Sequence, residues 1–223
     1  MIYPEGGRAA KGRAIVNLIG CEPDEKVSAF IGVKQDQFHD DHFVVMATEK
    51  GIVKKTKLSA YSNPRKKGIY AVEIREGDSL IEARVSNGEN DILLGTTNGK
   101  SIRFSEEQIR PSGRKTMGVK GITLSSPDDK VVGMLLIKRE GTVLVATENG
   151  FGKRTEIIQY RAQKRGGKGV LTMKTTDKIG KMITIKEVVG TDDLMIIRDD
   201  GVLIRMPVSQ IRSIGRATQG VKL

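Results

Sequence analysis

The chain repeats itself. The stretches ATEKG (Ala47–Gly51), GTTNG (Gly95–Gly99), ATENG (Ala146–Gly150) and IRDDG (Ile197–Gly201) each follow an apolar run, FVVM, ILL, VLV and LMI, and their closing glycines are spaced by 48, 51 and 51 residues. A second set of glycines, Gly12, Gly68, Gly118, Gly169 and Gly220, keeps the same phase with steps of 56, 50, 51 and 51. Such a period belongs to arrays of small units that bury their apolar faces only against one another. Within a unit, runs rich in Val, Ile, Leu and Thr bounded by Gly, Asn and Asp read as short strands. VVMATEKGIVKKT and VLVATENGFGKRT each read as two strands around a tight turn. SEEQIR and PVSQIR have the length of one helical turn, and no segment keeps helical spacing over three turns. The expectation is an all-β, propeller-like array of four-stranded blades in a single domain, 1–223. The repeats fall at approximately 7–61, 62–111, 112–161 and 162–212, with a partial one at 213–223. Leu144, the middle of VLV, is expected to be buried whichever way its strand alternates.

Charge follows the same phase. The fourth residue after each turn glycine is basic, namely Lys55, Arg103, Arg154 and Arg205, and Lys54 and Lys153 precede it in the first and third units. The next segment adds Arg65, Lys66 and Lys67, then Arg114 and Lys115, then Lys164, Arg165 and Lys168, then Arg216. Acids cluster elsewhere, in CEPDEK, QDQFHDD, EIREGD and NGEND. Any one basic pair reads as a solvated hairpin face; recurrence at one phase places the charge in one belt on the particle. Lys+Arg 38 against Asp+Glu 27 gives a net charge of +11, which concentrates polyanions near the surface. A belt of this kind neutralises phosphates without reading bases, so duplex DNA is the expected partner. No aromatic residue recurs in the basic phase, which leaves base stacking of single strands little support.

Other chemistry finds no footing. HDDH (His39–His42) lacks a third ligand at metal spacing and reads as a solvated turn. Asp128-Asp129, Asp192-Asp193 and Asp199-Asp200 lack calcium-loop spacing and read as turn residues. GRKTMG is not a nucleotide-binding loop. No catalytic residue, cofactor or metal site is therefore expected. Cys21, the single cysteine, reads as a small buried hydrophobe. With no long apolar run and no export signal, the expected location is the cytoplasm, away from membranes. The competing class, a protein-interaction propeller of WD or kelch type, places recurring Trp-Asp or aromatic features in its blades; this chain has Trp 0.

YRAQKRGGKGV (Tyr160–Val170), GRATQGV (Gly215–Val221), GRAAKGRAIVNL (Gly7–Leu18) and the T-x-x-G turns with their downstream cations together resemble the C-terminal β-pinwheel domain of the DNA gyrase A protein. The homologous topoisomerase IV domain is a more distant likeness. The resemblance implies a module that wraps duplex DNA around a basic rim in support of negative supercoiling. It implies as partners the rest of the gyrase A chain and the gyrase B chain in an A2B2 heterotetramer, with strand cleavage done outside this chain. Gln163, Lys164, Arg165, Gly166, Gly167, Lys168 and Gly169 resemble the family's gyrase A box, with Lys164 where Arg is usual. In the family that box belongs to the first blade, whereas here it stands in the last complete unit. The stretch is accordingly read as a later-blade relative of the box. The chain is expected to lack most of a first blade, and to bind DNA while wrapping it weakly.

Overall fold

The structure, a computed structural model, describes residues 7, 10, 11, 25–34, 38–65 and 68–223. Cys21, Gly12, Lys66 and Lys67 lie outside the described residues. The strands in chain order are β1 (Phe43–Thr48), β2 (Ile52–Lys57), β3 (Leu80–Ser86), β4 (Asp91–Thr96), β5 (Lys100–Ser105), β6 (Val119–Lys120) and β7 (Val131–Ile137), then β8 (Thr142–Thr147), β9 (Phe151–Glu156), β10 (Val170–Leu171), β11 (Met182–Val188), β12 (Asp193–Ile197), β13 (Leu203–Pro207) and β14 (Val221–Lys222).

Each unit is built on a hairpin whose turn ends in a glycine at positive φ: Gly51 (79°), Gly99 (73°), Gly150 (72°) and Gly201 (84°). A side chain would resist that backbone, so the turn glycine is fixed by geometry. The sheets run β3-β1-β2-β6, β7-β4-β5-β10 and β11-β8-β9-β14, all antiparallel, and β12-β13 stands as a pair. A hairpin is thus flanked by a long strand from the next repeat and by a two-residue strand from the repeat after that. Because each sheet draws on successive repeats, neighbouring units cannot be separated without breaking ladders.

Burial follows. One core joins Val45, Val53, Ile92, Leu94, Ile102, Phe104 and Met134; the next joins Leu93, Leu135, Val143, Val145, Tyr160, Met173 and Met182. Leu144 is 1% exposed. A strand such as VVGMLLI is apolar on both faces because its sheet lies between β3 on one side and β11 on the other. The single helical turns expected in SEEQIR and PVSQIR are 3-10 turns, Glu106–Gln108 and Val208–Gln210. Two more that the sequence reading passed over, Leu58–Tyr61 and Ile157–Gln159, complete the set after each hairpin. Asp129 is a buried turn acid. Burial opposes its charge, but donors from the Ser125 amide and hydroxyl, the Asn98 amide and the Thr97 hydroxyl, at 2.7 to 3.0 Å, outweigh that and hold the carboxyl below its ordinary value. HDDH is a turn in which Asp40 accepts from Lys57 (2.9 Å) and Ser59 (2.6 Å). Among the described residues no cluster fit to hold a metal ion occurs, and no helix is long and apolar enough to cross a membrane.

Candidate nucleic-acid interface

The in-phase cations divide into an inner set and a surface set. The fourth residue after the turn glycine reaches across to the 3-10 turn of the following unit. Lys55 Nζ donates to the Glu106 carbonyl at 3.0 Å, Arg103 Nη1 to the carbonyls of Ile157 and Tyr160 at 3.3 Å, and Arg154 Nε to the Ile211 carbonyl at 2.8 Å. The end of a short helical turn leaves carbonyl lone pairs unfilled, and a cation satisfies them with a charge-assisted bond. Arg103 is also held by Asp91 at 2.7 Å, and Arg205 by Asp193 at 2.9 Å. Arg205 has no described carbonyl beyond its own hairpin, and its side chain is 71% exposed.

Lys54 and Lys153 lie deeper still, at 1% and 0% exposure. Lys54 donates to the carbonyls of Ala71 (2.8 Å) and Arg114. Lys153 donates to the carbonyls of Gly215 (2.7 Å) and Arg216 and to the Thr218 hydroxyl (3.1 Å). Burial pulls Lys54 down to about 8, and burial together with the Arg216 charge pulls Lys153 down to about 8. The expectation that Lys54, Lys55 and Lys153 belong to a solvent-facing belt is therefore corrected. Their ammonium groups are spent on backbone carbonyls inside the fold, and Arg103 and Arg154 are half-buried in the same service.

The glycine loops carry the surface set. Arg65, Lys115, Lys164 and Lys168 are exposed, and Arg114, Arg165 and Arg216 are half-buried. Each loop ends on a positive-φ glycine, Gly118, Gly169 or Gly220, and runs into β6, β10 or β14 at the same edge of successive sheets. An added Cβ on these glycines would meet the carbonyl oxygen of Val53 at 2.4 Å, of Ser101 at 2.4 Å or of Gly152 at 2.6 Å. Only glycine lets the loop backbone approach the hairpin that closely.

The box-like loop is tied to the neighbouring units by main-chain and guanidinium bonds. The Gln163 amide donates to the Arg103 carbonyl (2.8 Å) and the Gly166 amide to the Gly121 carbonyl (2.7 Å). Arg165 donates from Nε to Gln108 and from Nη1 to Lys120, both carbonyls at 3.0 Å. The same guanidinium that looks like a phosphate ligand in the sequence thus shapes the loop, leaving Lys164 and Lys168 outward. Arg216 likewise donates to the Leu171 carbonyl at 2.9 Å. The sequence reading missed Arg110, Arg161 and Arg212, which are exposed and sit directly beyond the 3-10 turns in QIR, QYR and QIR. Their spacing of 51 and 51 residues was the available signal.

Comparison with known proteins agrees with this architecture. The family described as DNA gyrase C-terminal domain, beta-propeller, matches residues 42–87, 90–138, 141–188 and 192–223, one segment per hairpin. The DNA gyrase A protein of Staphylococcus aureus (strain NCTC 8325 / PS 47) is 46% identical over 222 residues, covering 99% of this chain and 25% of that protein. The chain thus spans about a quarter of the length of its curated relatives. Among solved structures, a DNA topoisomerase IV C-terminal domain superposes with a TM-score of 0.87 at 24% identity, over 95% of this chain and 66% of the other. A DNA gyrase A C-terminal domain gives 0.85 at 21% identity, over 96% and 71%. The repeat, the turn glycines, the sheet order and the glycine loops all fall within these matches, and the chain belongs to the gyrase A C-terminal domain family of β-propellers.

Proposed function

We propose that the chain binds and bends duplex DNA, without sequence preference, as part of a gyrase A protein. The observation that carries this reading is the recurrence of exposed cations at one sheet edge in successive units: Arg110 and Lys115, then Arg161, Lys164 and Lys168, then Arg212. Loops pinned by main-chain bonds hold these charges at fixed spacing, which suits a regularly spaced row of phosphates. Bending a duplex over such a surface costs several kcal/mol, and contacts spread over several units offset it. The partners in this reading are duplex DNA, the rest of the gyrase A chain and the gyrase B chain in an A2B2 assembly in the cytoplasm. The chain supplies no catalysis of its own. The 46% identity to a gyrase A protein favours gyrase over topoisomerase IV as the parent.

Binding of linear duplex, followed by anisotropy across a salt series, tests the proposal. Affinity should fall with a log-log slope of about −0.9 per phosphate contacted. Replacing Lys164 and Lys168 by Ala should reduce that slope by roughly one to two and weaken every sequence alike. Loss confined to one DNA sequence, or no loss at all, would remove the glycine loops from the interface.

A further inference from the structure

The loops ending at Gly118, Gly169 and Gly220 share two anchors and differ between them. The amide that opens each loop, on Ser112, Gln163 or Ile214, donates to the carbonyl of Lys55, Arg103 or Arg154 at 2.8 to 2.9 Å. Further on, the carbonyl of Thr116, Gly167 or Thr218 accepts the amide of Glu73, Thr123 or Lys174 at 2.9 to 3.1 Å. Between these anchors the box-like loop turns its amides inward. The Arg165 amide donates to Gln108 Oε1 at 2.8 Å and the Gly166 amide to the Gly121 carbonyl at 2.7 Å, a direction that the positive φ of Gly166 (79°) allows. The corresponding amides of the other loops are those of Arg114 and Lys115 and of Arg216 and Ala217. None of these four has an acceptor among the described residues.

A buried ammonium takes the place of the missing bonds. Both loops read Gly-Arg-x-Thr-x-Gly, at Gly113–Gly118 and Gly215–Gly220, and the hairpin strand under them carries Lys54 or Lys153. The box-like loop has Gly167 in the threonine's place and Ile102 in the lysine's. The lysine and the threonine work as a pair. Thr218 accepts from Lys153 Nζ at 3.1 Å and donates to the Gly215 carbonyl at 2.9 Å, and Thr116 donates to the Gly113 carbonyl at 2.9 Å. A peptide unit is planar and trans, so its N–H points opposite to its C=O. With the Gly215 and Arg216 carbonyls drawn to Lys153, the Arg216 and Ala217 amides face away from the core. With the Arg114 carbonyl drawn to Lys54, the Lys115 amide does the same. Lys115 and Ala217 are exposed.

We propose that Lys54 and Lys153 are positioning residues for two main-chain phosphate sites, in which the Lys115 amide, and the Arg216 and Ala217 amides together, bind phosphate oxygens of duplex DNA. Successive amides facing the same way make a small concave donor set that suits an anion, and a basic side chain, Lys115 or Arg216, stands in the same loop. Resting on the DNA-binding reading above, this divides the rim into two kinds of contact. The box-like loop meets phosphate through side chains alone, Lys164 and Lys168, because its amides are already engaged. The other two loops add the main chain, held in place from beneath by a charge that never reaches the surface.

Backbone amide NMR spectra of the chain, titrated with a linear duplex, test this. The duplex should shift the Lys115, Arg216 and Ala217 amide resonances downfield and leave those of Arg165 and Gly166 in place. Lys153→Met should abolish the shift at Arg216 and Ala217 and keep that at Lys115, and Lys54→Met should do the reverse. Each variant should bind duplex roughly threefold to tenfold more weakly, the loss of a hydrogen bond to a charged group. Thr218→Val removes a partner of the ammonium without changing the net charge, so it should weaken binding in the same direction by a smaller factor. Affinity equal to the parent's in that variant would reduce Lys153 to a source of charge and overturn the positioning role. Duplex binding that leaves the three amides unmoved, or lysine variants that keep the parent's shifts, overturns the inference while DNA binding stands. A parent that binds no duplex overturns the DNA-binding reading, and the two sites with it.

Discussion

Hairpins β8-β9 and β12-β13 are built on the same pattern in successive units, and they end in opposite surroundings. Leu144 and Met195 occupy the same place, each opposite an arginine in the ladder, Arg154 and Arg205. Leu144 is 1% exposed and Met195 58%. Strand propensity and turn chemistry are alike in the two, so neither decides burial. What differs is the presence of β11 and β14 beside β8-β9 and of packed sheets on its faces. In this fold the core belongs to the junction between units, and a unit's sequence marks only what it brings to that junction.

The largest effect should come from a carboxylate placed at the two matched sites. Leu144→Asp leaves an unpaired charge in the core and should cost about 3–5 kcal/mol. Met195→Asp should stay within about 0.5 kcal/mol of the parent. Urea denaturation of the two variants measures both, and equal losses would mean that β12-β13 is as buried as its neighbour.

The turn glycines sharpen the comparison. At Gly99 an added Cβ would sit 2.1 Å from the Met173 carbonyl oxygen, because the chain just past β10, from two repeats on, crosses there; at Gly201 it would meet nothing within 4 Å. Both have positive φ, 73° and 84°. Gly201→Ala should therefore cost only the backbone penalty, about 1 kcal/mol, whereas Gly99→Ala adds a backbone collision and should cost about 3 kcal/mol or more. Matching melting temperatures would show that the crossing segment yields. Next in size are the arginines. Arg154→Ala breaks the bond to the Ile211 carbonyl and should cost about 1–2 kcal/mol, while Arg205→Ala removes an exposed ion pair worth under about 0.5 kcal/mol.

These contrasts also mark what could be read from the chain alone. The hairpins, their glycine turns and two of the four 3-10 turns follow from local signals that any sequence window carries, whereas the burial of Leu144 follows only from the repeat, which packs its strand between neighbours on both faces. That a sheet collects strands from three repeats is not local, since β6 is a two-residue strand defined only by its partner β2. The cations show the same division. Their phase was visible, but a lysine that reaches a carbonyl and a lysine that reaches solvent have the same letter. Lys54 and Lys153 sit inside because their neighbours present carbonyls at the right depth, and Ile102 and Ile204 stand at that position in the other units. Arg110, Arg161 and Arg212 were legible by period; Arg110 and Arg212 were hidden in segments read as helical turns, and Arg161 follows a turn that was not read at all.

Lys153 and Ile204 give the most direct view of the inner cations. Burial, with the Arg216 charge, holds Lys153 at about 8, and burial holds Lys54 at about 8, against an ordinary 10.5. Between those values the unfolded chain keeps protons that the folded chain has released, so stability rises with pH across that window. The contribution is complete above 10.5 and is lost as pH falls through about 8. Tyr160 works the other way at higher pH: burial raises it to about 12 from 10.0, so the stability it contributes is intact below 10.0 and is lost as pH climbs toward 12. The unfolding free energy from urea titrations should therefore climb between neutral pH and the onset of tyrosine ionisation, by roughly 2 kcal/mol for each buried lysine, and then fall. Lys153→Ile, which installs the residue found at position 204, should remove roughly half of the climb whatever the variant's absolute stability, because only Lys54 remains to titrate. A flat profile in the parent would place both ammonium groups in contact with water, and the division between inner and surface cations would fail with it.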